Sequence, residues 1–129
     1  MVTAHIQPEK YKTLLSDGVH ILVADEQEEY GGKNLGMTPA DLLLSSLGAC
    51  TAITLRMYAD RKGWSLEDVR VELKLETKPV EGKAVTHIFR SIRLEGNLEA
   101  DQRKRLFEIA DKCPVHAILK GTINIVTES

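Results

Sequence analysis

Residues 37–63, MTPADLLLSSLGACTAITLRMYADRKG, read as one long helix with a cysteine, Cys50, at its middle. Thr38 offers an N-cap oxygen, and Pro39 suits the first helical position, where its missing N–H has no partner to lose. Asp41, three residues after Thr38, completes a capping-box pattern. Lys62-Gly63 supplies the stop: a cation near the last carbonyls, then a residue free to turn left-handed. At 1.5 Å per residue the helix is roughly 36 Å long. No charge falls between Leu42 and Leu55. That run is short for a membrane span and apolar on several faces, so a largely buried core helix is expected. Ser45, Ser46, Gly48, Ala49 and Ala52 are small enough for another backbone to come close. Cys50 reads either as a small buried hydrophobe or as a reactive thiolate. It lies three turns from the positive helix end, so an activating group for it must come from elsewhere in the fold.

The remaining composition narrows the class. The 129 residues are 43% apolar and 28% charged, with a net charge of −2, which suits one globular domain with a real core. Nothing in that balance calls for a nucleic acid or an anionic membrane as partner. Met1 is followed by alternating polar and apolar residues, so no secretory signal is expected and the cytoplasm is the expected compartment. Two cysteines in such a chain argue against a permanent disulfide and leave redox chemistry open. The histidines have no zinc spacing, and neither metal nor cofactor is expected.

Upstream of the helix, Val2, Ala4 and Ile6 alternate like a short strand that Pro8 ends. Tyr11 to Leu15 and Val19 to Ala24 flank Ser16-Asp17-Gly18, a hairpin signal. Asp25 to Glu29 reads as an acidic, solvated stretch. Residues 30–36, YGGKNLG, form a glycine-rich loop without the GxxxxGK[ST] spacing of a phosphate cradle; a flexible loop beside a pocket is the expectation. Downstream, Val69, Val71, Leu73 and Leu75 alternate with charged residues in a half-buried strand. Lys78 to Lys83 reads as a turn, and Ala84 to Glu95 as an antiparallel second strand. Arg90 shares a face with Ile88, Ile92 and Leu94, which places it at a bulge or sheet margin or aims it at a functional pocket. Leu98 to Lys112, opened by Gly96-Asn97, is a second helix that Pro114 must break. Cys113 then stands at the N-cap of a short helix, a favourable position for a thiolate, with His116 three residues on and able to face it. Gly121 ends that helix, and Ile123 and Ile125 mark a last strand. The charge-free helix needs more cover than one short chain can offer, so a homodimer is expected.

The order of elements, with TPADLLLSSLGACTAITLRMYADRKGW and CPVHAIL, resembles the OsmC/Ohr family, the osmotically inducible protein C and organic hydroperoxide resistance group. The resemblance runs over nearly the whole chain. It implies an α+β, OsmC-like fold over residues 1–129 as a single domain, with antiparallel sheets packed around the long helix in an intertwined homodimer. It further implies a thiol peroxidase for organic hydroperoxides in which Cys50 attacks, Cys113 resolves and an external dithiol reduces. The alternative it leaves is a non-enzymatic protein that binds an apolar small molecule at the dimer-interface pocket. Known peroxidases of the family carry a glutamate just after the helix-opening proline; here that position is Ala40, with Asp41 next. They also place an arginine before the helix, whereas the first arginine here is Arg56. Lys33 is the nearest substitute and Arg90 a remoter one. A divergent subgroup follows, in which Asp41, Lys33, His116 and Arg90 are the candidates to support the thiols.

Overall fold

The computed structural model describes residues 1–129, which divide into two compact units, Met1–Ser45 and Ser46–Ser129. In the first unit, β1 (Thr3–Ile6), β2 (Thr13–Ser16) and β3 (Ile21–Ala24) form an antiparallel sheet in that order. Strand β3 starts two residues later than its hydrophobic run because Asp17 builds the connection. Its Oδ1 accepts the N–H groups of Val19 (2.8 Å) and His20 (2.6 Å), and its Oδ2 lies 2.9 Å from the His20 ring. These bonds to His20 and Val19 lower the Asp17 pKa to about 2.

Two expectations fail at the end of β3. Asp25 is buried, not solvated, and the glycine-rich loop is neither free nor an anion cradle, because Asp25 occupies it. The carboxylate accepts four backbone N–H groups: Tyr11 (3.2 Å) and Glu26 (2.7 Å) at Oδ1, Lys33 (3.3 Å) and Leu35 (3.1 Å) at Oδ2. Burial alone would push this carboxyl up; the four bonds outweigh it and hold the group below its ordinary value. The glycines make the wrapping possible. A Cβ on Gly36 would lie 2.0 Å from the Val23 carbonyl oxygen, and one on Gly32 2.1 Å from that of Glu26.

Helix α1 (Pro39–Lys62) forms as its signals predict. Thr38 Oγ1 accepts the Asp41 N–H (3.2 Å) at its start. At its end Gly63 adopts φ +70°, the Trp64 N–H reaches Ala59 O (2.9 Å) and the Gly63 N–H reaches Asp60 O (3.2 Å), a Schellman stop. In the second unit the rest of α1 packs with a hairpin, β4 (Asp68–Val80) and β5 (Lys83–Glu95), and with α2 (Ala100–Ala110), while α3 (Pro114–Lys120) meets it at Cys50. The β4–β5 turn is only Glu81-Gly82, both with positive φ, which matches the twist of a two-residue hairpin and lets the strands run further than the sequence suggests. Helix α2 opens at Glu99, later than Gly96-Asn97, because the Gln102 side chain accepts the Glu99 N–H (2.9 Å).

The core joins Leu55 and Ala59 of α1 to Leu66, Leu94, Leu106, Ile109 and Ala110. At Gly48 an added Cβ would stand 2.8 Å from Leu73 Cδ1, so the small residue admits the β4 side chain. The helix is not buried all round. Leu47, Thr51, Leu55 and Ala59, spaced by four, are its buried stripe, while Ile53 (53% exposed) and Met57 (64%) face outward. The expected last strand is also absent: β4 and β5 pair only with each other, and residues 122–129 are irregular, with Ile123 and Ile125 exposed. A strand has no structure without a partner ladder.

Candidate functional site

Both cysteines are free thiols in the second unit, and both sulfurs meet the first turn of α3. Pro114 opens that helix at N1, so the next two residues carry N–H groups with no partner inside the helix. The Val115 N–H points at Cys50 Sγ (3.5 Å) and the His116 N–H at Cys113 Sγ (3.4 Å). The polar group that α1 could not give Cys50 therefore comes from α3. Cys50 is half-buried, and Cys113 is wholly buried as the N-cap of α3.

Arg90 organises the other side. The β4–β5 register is unbroken, with Arg90 opposite Leu73, so no bulge is involved, and in a two-stranded sheet β5 is itself a margin. Its side chain points inward and is only 13% exposed. One guanidinium nitrogen donates to Thr51 Oγ1 (3.0 Å) and to Ala110 O (3.2 Å); the other donates to Asp111 Oδ1 (2.7 Å). Thr51 Oγ1 in turn lies 3.9 Å from Cys113 Sγ. His116 touches Cys113 through its backbone, not its ring; the ring nitrogen Nδ1 sits 4.0 Å from Asp111 Oδ1. A cleft of about 480 Å³ opens beside this cluster, lined by Leu47, Ile88, Phe89, Arg90, His116 and Leu119 among others.

The structure thus brings together Cys50, Cys113, Arg90 and His116. Lys33 and Asp41 belong to the first unit. Lys33 pairs with Glu9 (3.1 Å) and gives its backbone N–H to Asp25. Asp41 is exposed in the first turn of α1. Among the apolar residues of α1 near Cys50 in sequence, Leu47 is buried, but Leu43 and Met57 are exposed. Sequence reasoning missed Thr51 and Asp111. A threonine one turn below Leu47 in a charge-free run was the available sign for the first; the second stands two residues before Cys113 without any motif of its own.

Residues 31–128 match the family described as OsmC-like protein. The chain belongs to the OsmC-like family. No curated protein matched. Among solved structures, the fold is similar to an OsmC-like protein of Mycoplasma pneumoniae at 20% identity, covering 94% of this chain and 86% of that one, with a TM-score of 0.78. It is similar also to an organic hydroperoxide resistance protein, OsmC, of Legionella pneumophila at 22% identity, 94% and 88% coverage and a TM-score of 0.69. A third is an organic hydroperoxide resistance protein of Elizabethkingia anophelis with thiocyanate bound, at 18% identity, 93% and 86% coverage and a TM-score of 0.67. At these identities the OsmC-like chain shares a fold with them.

Proposed function

We propose that this OsmC-like chain is a thiol peroxidase for organic hydroperoxides, with Cys50 as the attacking and Cys113 as the resolving thiol. The observation that carries the reading is the shared helix turn: two free sulfurs from distant parts of the sequence receive consecutive N–H groups of α3. In the first step the Cys50 thiolate attacks the outer peroxide oxygen. The O–O bond breaks, the alkoxide leaves as alcohol after taking a proton, and Cys50 becomes a sulfenic acid. In the second, Cys113 sulfur attacks the Cys50 sulfur; the S–S bond forms, and the sulfenic oxygen departs as water with the Cys113 proton. An external dithiol then reduces the disulfide by exchange. The cleft beside Arg90 and His116, with Leu47, Ile88 and Leu119 in its wall, supports an alkyl hydroperoxide as substrate, since each buried CH₂ contributes about 0.8 kcal/mol. A reducing compartment such as the cytoplasm keeps both thiols ready.

The reading includes a homodimer. Ile53 and Met57 on α1, and Ile123, Ile125 and Val126 in the tail, are apolar and exposed, and a second copy gives them cover. The match to residues 31–128 spans both compact units, which supports one domain over residues 1–129. The decisive experiment titrates free thiols before and after one equivalent of cumene hydroperoxide. Loss of both thiols with one equivalent of alcohol produced is expected; thiols that survive the peroxide exclude the peroxidase and leave a binding protein. Sedimentation checks the dimer, and a monomer at micromolar concentration removes it.

A further inference from the structure

Arg90 bonds to neither sulfur, yet every group it touches leads to Cys113. It holds Ala110 O and the Asp111 carboxylate, the last residue of α2 and the first beyond it. Between them and Cys113 lies only Lys112, so the guanidinium clasps the turn that carries the thiol. It also holds Thr51, and the donor count there fixes a direction. Thr51 has one hydroxyl hydrogen, and it goes to Leu47 O at 2.7 Å. Arg90 donates into one lone pair of the same oxygen. What remains facing Cys113 Sγ at 3.9 Å is an acceptor, so the contact there is from the Cys113 S–H to the threonine oxygen. On its other side the sulfur accepts the His116 N–H. The Cys113 thiol is thus gripped from two sides, and Arg90 fixes one of them.

We propose that Arg90 is the positioning residue of the resolving thiol: through Asp111, Ala110 and Thr51 it holds Cys113 in the orientation from which its sulfur reaches Cys50. The proposal rests on the assignment of Cys113 as the resolving cysteine. A planar fork that serves three acceptors at once cannot be replaced by an ammonium, so lysine is expected to restore only part of the effect. Misplacement of a reacting group by about 1 Å slows a step by up to about a hundred-fold.

The test separates the two thiols' steps and needs no peroxide. Diamide converts two thiols to a disulfide and is itself reduced to the hydrazine. The rate of Cys50–Cys113 disulfide formation with diamide is compared with the rate of Cys50 alkylation by iodoacetamide, in the wild type, Arg90→Met, Arg90→Lys and Asp111→Asn. The expected result is disulfide formation slowed on the order of ten-fold or more in Arg90→Met, less in Arg90→Lys and Asp111→Asn, with a smaller change in alkylation. A general loosening of the fold would instead raise alkylation as disulfide formation fell. Asp111 is 67% exposed, so Asp111→Asn gives the answer even where Arg90→Met fails to fold. Wild-type disulfide rates in the folded variants, or no Cys50–Cys113 disulfide in the wild type, overturn the proposal. The peroxidase reading fails separately, when cumene hydroperoxide consumes neither thiol while diamide still closes the disulfide.

Discussion

The two units each gather backbone N–H groups around an acceptor, and they do so to opposite ends. In the first unit the Asp25 carboxylate is buried and takes four N–H groups, two on each oxygen. No direction of approach is left, and the group's task is to tie the Tyr11 region to the glycine-rich loop. In the second unit each sulfur takes a single N–H from the first turn of α3, and a cleft lies beside the cluster. An acceptor that is saturated holds structure together; one that is partly served keeps capacity for a reacting partner. The glycine-rich loop looked like the functional segment, and it is the scaffold. The Cys-Pro corner, with no glycine, carries the chemistry we propose.

The strongest way to break this contrast is to remove its sulfurs. Cys50→Ser is expected to abolish hydroperoxide consumption. Cys113→Ser is expected to permit about one turnover and then hold Cys50 as sulfenic or sulfinic acid, read by mass spectrometry. Neither change is expected to lower the melting temperature as far as changes at Asp25. If Cys113→Ser removes the first turnover while Cys50→Ser keeps it, the roles are reversed.

The first unit answers to stability instead. Asp25→Asn keeps one oxygen but turns an NH₂ group toward one of the two N–H pairs, so a large drop in melting temperature is expected with thiol chemistry retained. Gly36→Ala forces a Cβ to within 2.0 Å of the Val23 carbonyl oxygen, and because backbone must shift it is expected to cost about 1–3 kcal/mol. A chemical denaturation series measures both. Unchanged midpoints would mean that the loop is free after all.

What was legible in advance follows the same division. The long helix, its two stops, the hairpin and the break at Pro114 are local patterns, and each formed close to its signals. The role of Asp25 was not legible, because its donors lie 14 residues upstream and up to 10 downstream, and no spacing rule links a carboxylate to backbone groups. Arg90, Thr51 and Asp111 are brought together across 39 and 21 residues of chain; the pattern at Arg90 showed only a charge on a buried face. Ile123 and Ile125 alternate like a strand, yet pairing is a property of two segments, and within the single chain none is offered.

Acid sharpens the comparison further, since the Asp25 and Asp17 carboxyls both titrate below their ordinary values in the folded chain. For a depressed carboxyl the folded state binds the proton less readily than the unfolded one, so its stabilisation is full above the unfolded value and disappears as pH falls through the folded one. For Asp17 that window runs from 3.8 down to about 2. The expected outcome is a stability that declines through this range, with a shallower slope in Asp17→Asn. An identical slope in the variant would remove Asp17 from the account.

The smallest effect is expected at Asp41, and it isolates what the environment of a carboxylate is worth. Asp41 is the same residue type as Asp25, but it is exposed in the first turn of α1, and the bond at that position runs from its backbone N–H to Thr38 Oγ1. The side chain is left with the favourable field of the helix N-terminus, typically about 0.3–1 kcal/mol and weakened by salt. Thr38→Ala removes a cap bond and is expected to cost about 1 kcal/mol; Asp41→Ala is expected to cost less, and less still in high salt. Thiol oxidation by hydroperoxide should change little in Asp41→Ala. Melting curves at two salt concentrations, run beside the peroxide assay, check all three statements together. A large loss of thiol reactivity at unchanged melting would give Asp41 the part that the glutamate beside the helix-opening proline plays in the family's known peroxidases, and the line drawn between a structural first unit and a reactive second unit would have to be moved.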